Sequence, residues 1–159
     1  MTGMTGMTGM TGMTGMTGMT GTDLRERCAI DDVALTMLHA AAFDETPRLR
    51  PWGAQLERHS LTWLGAFEGE RMIGFANLAW DGGVHAFLVD VLVAPDRRRR
   101  GTGRALVAEA LRLATEAGCA WLHADPAPAV AAAFAAVTPS PVRLHRATRD
   151  RRGDGGAES

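Results

Sequence analysis

From Asp23 onward the chain carries its apolar residues in blocks whose spacing changes twice. Over 33–43, Leu35, Leu38 and Ala42, with Met37 and Ala41, recur at intervals of three and four, as on a helix with one apolar side; Asp31 or Asp32 stands where its cap belongs. A short strand is expected just before it, at 24–29. Pro47 and Pro51 break the chain, and a second short helix is expected over 52–59. Three blocks rich in aromatic and β-branched residues follow at 61–67, 72–80 and 84–93. Glu68-Gly69-Glu70 and Asp81-Gly82-Gly83 separate them, so they read as an antiparallel meander.

After Pro95 the helical spacing returns near Gly101, with Leu106, Val107, Ala110, Leu113, Ala114 and Ala117 on one side and Gly118 as the stop. Residues 119–124 are expected to form a short buried strand, parallel to the one before because the chain returns through a crossover helix. An Ala-rich helix at 129–137 and one more strand within 139–145 complete the expected elements. The fold class is α/β (α+β): a mixed, mostly antiparallel sheet flanked by helices, with incomplete C-terminal strands that leave one sheet edge exposed. The expected organisation is a leader at 1–22, one domain at 23–147 that becomes atypical from about 124, and a disordered tail at 148–159.

Composition changes this picture in three ways. Residues 1–21 are seven copies of Met-Thr-Gly, without the basic start or continuous apolar core of a signal peptide, and are expected to be disordered. A tandem duplication in the coding DNA, with a start at any of the seven, accounts for the repeat, and because seven of the nine methionines lie there the Met count is no soft-metal signal. All 17 positive charges are Arg against 18 acidic residues, and Lys and Tyr are absent. A Walker-type lysine, a pyridoxal Schiff base, a lysine base and a phenolic acid are therefore excluded from this chain. Cys28 and Cys119 lie far apart and indicate neither a disulfide framework nor a paired-Cys zinc site. The longest apolar run, 127–137, falls short of the roughly 20 residues a bilayer span needs. A cytoplasmic protein without metal or membrane partner is expected.

The strongest chemical signal is Val91-Leu92-Val93-Ala94-Pro95-Asp96-Arg97-Arg98-Arg99-Arg100-Gly101-Thr102-Gly103-Arg104, between a strand and an amphipathic helix. A strand end opening through a Gly-containing turn into a helix presents free backbone N–H groups and the positive helix end at one point, which is an anion site. Gly101 and Gly103 let the backbone approach a phosphate, and neighbouring Arg side chains can neutralise it; a pyrophosphate fits both features. A dinucleotide fingerprint fails because position 106 is Leu106, and a Walker loop fails for want of Lys. As a nucleic-acid patch, residues 97–100 stand alone: net charge is −1 and no second basic stripe with interleaved aromatics accompanies them.

Arg98-x-x-Gly101-x-Gly103, behind 87–93 and Ala94-Pro95, resembles the acetyl-CoA signature of the GNAT N-acetyltransferase superfamily. The likeness runs from Leu24 to His123, and the stretches 59–63, 80–87 and 118–123 are similar to a bacterial small-molecule branch. The resemblance implies acetyl-CoA as co-substrate and a small-molecule amine as acceptor. It implies that backbone groups of Val91, Leu92 and Val93 hold the pantetheine arm, and that Arg98, Arg99, Arg100, Gly101, Thr102, Gly103 and Arg104 hold the pyrophosphate. A released strand N–H would polarise the thioester carbonyl.

An alkyl ammonium of pKa about 10 must lose a proton before it attacks. Asp90, in the fourth strand, is the candidate catalytic residue, as base or as ammonium anchor; the competing reading is a strand Asp paired with an Arg. His85 and His123 are weaker candidates, and Trp52, Trp63, Trp80 and Trp121 are either acceptor-pocket walls or core. The family's Phe-Tyr pair is replaced by Phe134-Ala135, so the Tyr that would protonate the departing thiolate is missing. The leading expectation is an N-acetyltransferase; the alternative is a CoA-binding relic. A homodimer covering the exposed sheet edge is an expected partner arrangement.

Overall fold

The computed structural model describes residues 21–124 and the backbone of 143–146. The Met-Thr-Gly leader, the helix expected at 129–137 with its Phe134-Ala135 pair, and the C-terminal tail lie outside the described residues. Six strands form one sheet in chain order: β1 (Asp23–Glu26), β2 (Ser60–Glu68), β3 (Arg71–Trp80), β4 (His85–Val93), β5 (Trp121–Ala124) and β6 (Arg143–Arg146). The first four are antiparallel neighbours, and β5 and β6 join in parallel. Helices α1 (Asp32–Phe43) and α2 (Trp52–His59) connect β1 to β2, and α3 (Thr102–Glu116) connects β4 to β5. This is the expected mixed, mostly antiparallel sheet flanked by helices.

Boundaries shift where single residues decide them. β1 stops at Glu26 rather than near 29, because Arg27 turns left-handed at φ 46°. Both acidic residues at the start of α1 are used. Asp31 caps the helix by accepting the amides of Val33 and Ala34 at 2.9 and 3.0 Å, and Asp32 accepts the Gly53 amide at 2.9 Å, tying the start of α2 to the start of α1. Asp31→Ala should therefore lower stability by about 1 kcal/mol, read as a shift in the denaturant midpoint at constant slope. No shift would mean that water serves these amides equally well.

β5 begins at Trp121, two residues later than expected, because the amides of Ala120 and Trp121 converge on the Val84 carbonyl at 2.9 and 3.0 Å. β6 begins at Arg143, past Pro139 and Pro141, which have no N–H to give a ladder.

The middle of β2 (62–67) and of β3 (73–78) is buried at every position, which requires cover on both sheet faces. Helices α1 and α3 pack on β3 and β4, and α2 packs on β2. Phe75, Ile73, Leu78 and Leu92 from the sheet meet Leu35 of α1, Trp52 and Leu56 of α2, and Leu106 and Val107 of α3 in one core. The buried Trp52 indole donates to Thr36 Oγ1 at 2.9 Å, so burial leaves no orphaned donor there. Gly74 in β3 carries no side chain because a Cβ would stand 3.1 Å from the Leu92 carbonyl, Leu106 Cδ1 and Thr102 Cγ2. The start of α3 therefore lies directly against the sheet at the end of β4. Both cysteines are free thiols, and among the described residues no helix is long and apolar enough to cross a membrane.

Candidate active site

The centre of the site is a bulge in β4. Its register with β3 runs from Asn77↔Val89 to Phe75↔Leu92, so Asp90 and Val91 together face the single residue Ala76. Asp90 takes the extra residue's left-handed conformation at φ 51°, which Asp and Asn tolerate better than other L-residues. On the other side of β4 the described ladder with β5 ends at Leu88↔Ala124, while β4 itself continues to Val93. Regular pairing with β3 is thus interrupted at Asp90 and Val91.

The bulge turns Asp90 toward α1. His39 Nε2 lies 3.7 Å from Asp90 Oδ1, an ion-pair distance rather than a hydrogen bond, with both side chains mostly buried. The imidazole is held between Phe43 and Trp52, at ring separations of 4.8 and 5.3 Å. Burial raises the Asp90 carboxyl above the ordinary range of aspartate, and His39 and Arg50 oppose that shift in part. The expected alternative for Asp90, pairing with an Arg, is therefore replaced by a His partner with an Arg acting from farther away. Beside this pair opens a pocket of about 380 Å³, lined by Thr36, His39, Glu45, Arg48, Arg50 and Trp52 among others. Of the four tryptophans considered, only Trp52 reaches it.

The loop after β4 is fixed by ion pairs before it turns into α3. Ala94 donates its amide to Ile73 O at 2.8 Å, Arg71 grips Asp96 with two bonds of 2.9 Å, and Arg97 bonds Glu68 and Asp96 at 2.8 Å each. Arg98 donates to the Ala42 carbonyl at the end of α1 at 2.6 Å. Two of the four consecutive arginines are thus engaged within the fold, leaving Arg99 and Arg100 exposed. Arg99 and Gly101 are both left-handed, at φ 61° and 87°, and Gly101 is the N-cap of α3 without any side-chain cap bond. The first amides of α3, at Thr102, Gly103 and Arg104, have no carbonyl one turn earlier in the helix. A Cβ at Gly101 would meet nothing within 4 Å, so the space in front of these amides is open.

The other candidates lie elsewhere. His85 Nδ1 and His123 Nε2 are 2.8 Å apart near the start of β4 and in β5, in a stack that includes Phe87 and Trp121. The Trp63 indole donates to Cys28 O at 2.9 Å, and that of Trp80 donates to Gly83 O at 2.8 Å, so both serve local structure. Among the described residues no group of His, Cys, Asp and Glu is placed to hold a metal ion. His39, Arg48 and Arg50 were not singled out from sequence. The first is a lone His amid the apolar positions of α1, and the signal for the other two, Pro-Arg-Leu-Arg-Pro, reads as a linker.

Comparison with known proteins places the chain in a family. The chain is similar to mycothiol acetyltransferase of Mycolicibacterium vanbaalenii (38% identical over 87 residues, 55% of this chain and 28% of that protein). It is also similar to that of Saccharomonospora viridis (36% over 102 residues, 60% of this chain and 33% of that protein). The match therefore spans a third or less of these relatives' length. In fold it resembles the ribosomal-protein-S18-alanine N-acetyltransferase from Escherichia coli, with TM-score 0.58, 24% identity and coverage of 72% of each chain. The family model for the acetyltransferase (GNAT) family matches residues 26–136, so that the bulged fourth strand, the glycine turn and α3 all fall inside the matched region and the chain belongs to that family.

Proposed function

We infer that this chain transfers an acetyl group from acetyl-CoA to the amine of a small molecule. The observation that carries the reading is the meeting, at the end of β4, of an uncapped α3 N-terminus behind a left-handed glycine with a bulged Asp90 beside a pocket. The amides of residues 99–104 would receive the pyrophosphate, with Arg99, Arg100 and Arg104 adding charge and Arg98 holding the loop against α1. The pantetheine arm would run along Val91, Leu92 and Val93, directly after the bulge that interrupts pairing with β3. The pocket is of small-molecule size and serves as the acceptor site.

In the reaction the amine nitrogen attacks the thioester carbonyl carbon, the C–N bond forms, the C–S bond breaks, and CoA leaves as its thiolate. A backbone N–H freed by the bulge would stabilise the carbonyl oxygen as charge develops on it. Asp90 attracts the incoming ammonium, and the Asp90 and His39 pair takes its proton. A carboxyl whose pKa burial has raised is a better base than an exposed aspartate. The chain has no Tyr to protonate the thiolate, so water must serve. That same lack favours a second reading, CoA binding without turnover.

Thermal unfolding with acetyl-CoA, followed by an assay for free CoA thiol over a panel of amines, separates the two. Acetyl-CoA at about 100 times its Kd should add about 2.7 kcal/mol to stability, and at least one amine should release thiol. Stabilisation without thiol release from any amine would support the binding protein. An unchanged melting temperature would overturn both readings.

A further inference from the structure

Residues 47–51, Pro-Arg-Leu-Arg-Pro, border the acceptor pocket, and their chemistry is not explained by acetyl transfer to a generic amine. The two prolines fix their own φ and hold the residue before each in extended backbone. In extended chain, alternate side chains share a side. Arg48 and Arg50 both line the pocket, whereas Leu49 between them stays 70% exposed. The Arg50 guanidinium lies 5.2 Å from the ring centroid of Trp52, itself fully buried and hydrogen-bonded to Thr36. Arg50 is thus held on a fixed platform. Neither Arg48 nor Arg50 has a carboxylate within ion-pair distance among the described residues, whereas Arg25, Arg27, Arg71, Arg97 and Arg112 all do. The same pocket carries Glu45 and, through His39, borders Asp90. Its two guanidinium charges are therefore matched by two carboxylates in one small space, which suits a ligand that brings both signs.

Resting on the acetyl-transfer reading, we propose that the acceptor is an amine that also carries a carboxylate, of the amino acid or short peptide class. Arg48 and Arg50 bind that carboxylate while the ammonium faces Asp90 and His39. A planar guanidinium can give two parallel hydrogen bonds to a carboxylate, and an amide in the same place accepts more weakly and brings no charge. Both guanidiniums are open to water, so the discrimination falls at the low end for a charged hydrogen bond, about ten-fold per compound pair.

The test measures kcat/KM by thiol release for free amino acids and dipeptides against the same compounds amidated at the C terminus. It uses the wild type, Arg48→Gln, Arg50→Gln and the double variant. The acid-to-amide ratio of kcat/KM should fall about ten-fold from wild type to the double variant. Comparing ratios between proteins cancels the different basicity of the amines in acid and amide. Each single variant should lose part of the preference, and an unchanged acetyl-CoA stabilisation shows that the variants are folded. An acid-to-amide ratio that is the same in wild type and the double variant overturns the proposal and leaves acetyl transfer standing. Acetylation of other amines but of none of these compounds also overturns it. Loss of the acetyl-CoA stabilisation in wild type would instead remove the acetyl-transfer reading itself.

Discussion

Asp90→Asn should lower acetyl transfer by ~10²–10⁴ while leaving acetyl-CoA binding intact, since that is the usual contribution of a positioned acid or base. The substitution keeps the size of the side chain, and Asn accepts the left-handed backbone at φ 51° as readily as Asp, so the bulge persists. Only the charge facing His39 is lost. Stability should move the other way. Burial raises the Asp90 carboxyl in the folded state, so its contribution is fully present below the unfolded aspartate pKa and is lost as pH rises through the folded value. The Asn variant should therefore gain melting temperature relative to wild type as pH increases, and the gap should close in acid. Kinetics with the best amine, acetyl-CoA titration and unfolding curves from acid to neutral pH measure the three effects. Unchanged turnover would exclude Asp90 as base or anchor.

Gly101→Asp should abolish the stabilisation by acetyl-CoA, a loss of about 2.7 kcal/mol at ligand concentrations near 100 times Kd. The new Cβ meets nothing within 4 Å, so no packing clash arises; the left-handed φ of 87° costs about 1–2 kcal/mol for a residue other than glycine. An aspartate at the N-cap recovers part of that by accepting α3 amides. The fold should persist while a carboxylate occupies the phosphate position and engages its donors. Gly118→Asp supplies the control for strain, because Gly118 is equally left-handed at φ 83° with open space around it, at the other end of α3. Acetyl-CoA should stabilise the Gly118 variant as it does wild type. Equal stabilisation of the Gly101 variant would refute the phosphate assignment.

The elements were legible in the sequence because burial repeats with the period of the backbone. Leu106, Val107, Ala110, Leu113 and Ala114 mark the buried side of α3, and all five are buried. The bulge was not legible. Leu88 to Val93 reads as continuous strand, and no residue in it announces that Asp90 and Val91 must share one partner. Asp90 could be selected as a charge in an apolar strand, but His39 could not be joined to it, since the contact exists only once α1 packs on β4. The arginine run misled differently. Four adjacent cations looked equivalent, yet Arg97 and Arg98 are held by Glu68, Asp96 and Ala42, partners from 1 to 56 residues away in sequence. Arg48 and Arg50 stayed unnoticed because prolines on either side signal a break in structure before they signal two side chains directed alike.

The bond from Arg98 to the Ala42 carbonyl has a mechanical consequence. Ala42 and His39 belong to the same helix and are separated by less than one turn. The glycine turn is therefore tied by this bond to the helix that carries His39 of the pocket lining. The proposed phosphate turn and the proposed acceptor pocket thus share one element, so that a change in the position of α1 would be felt by both.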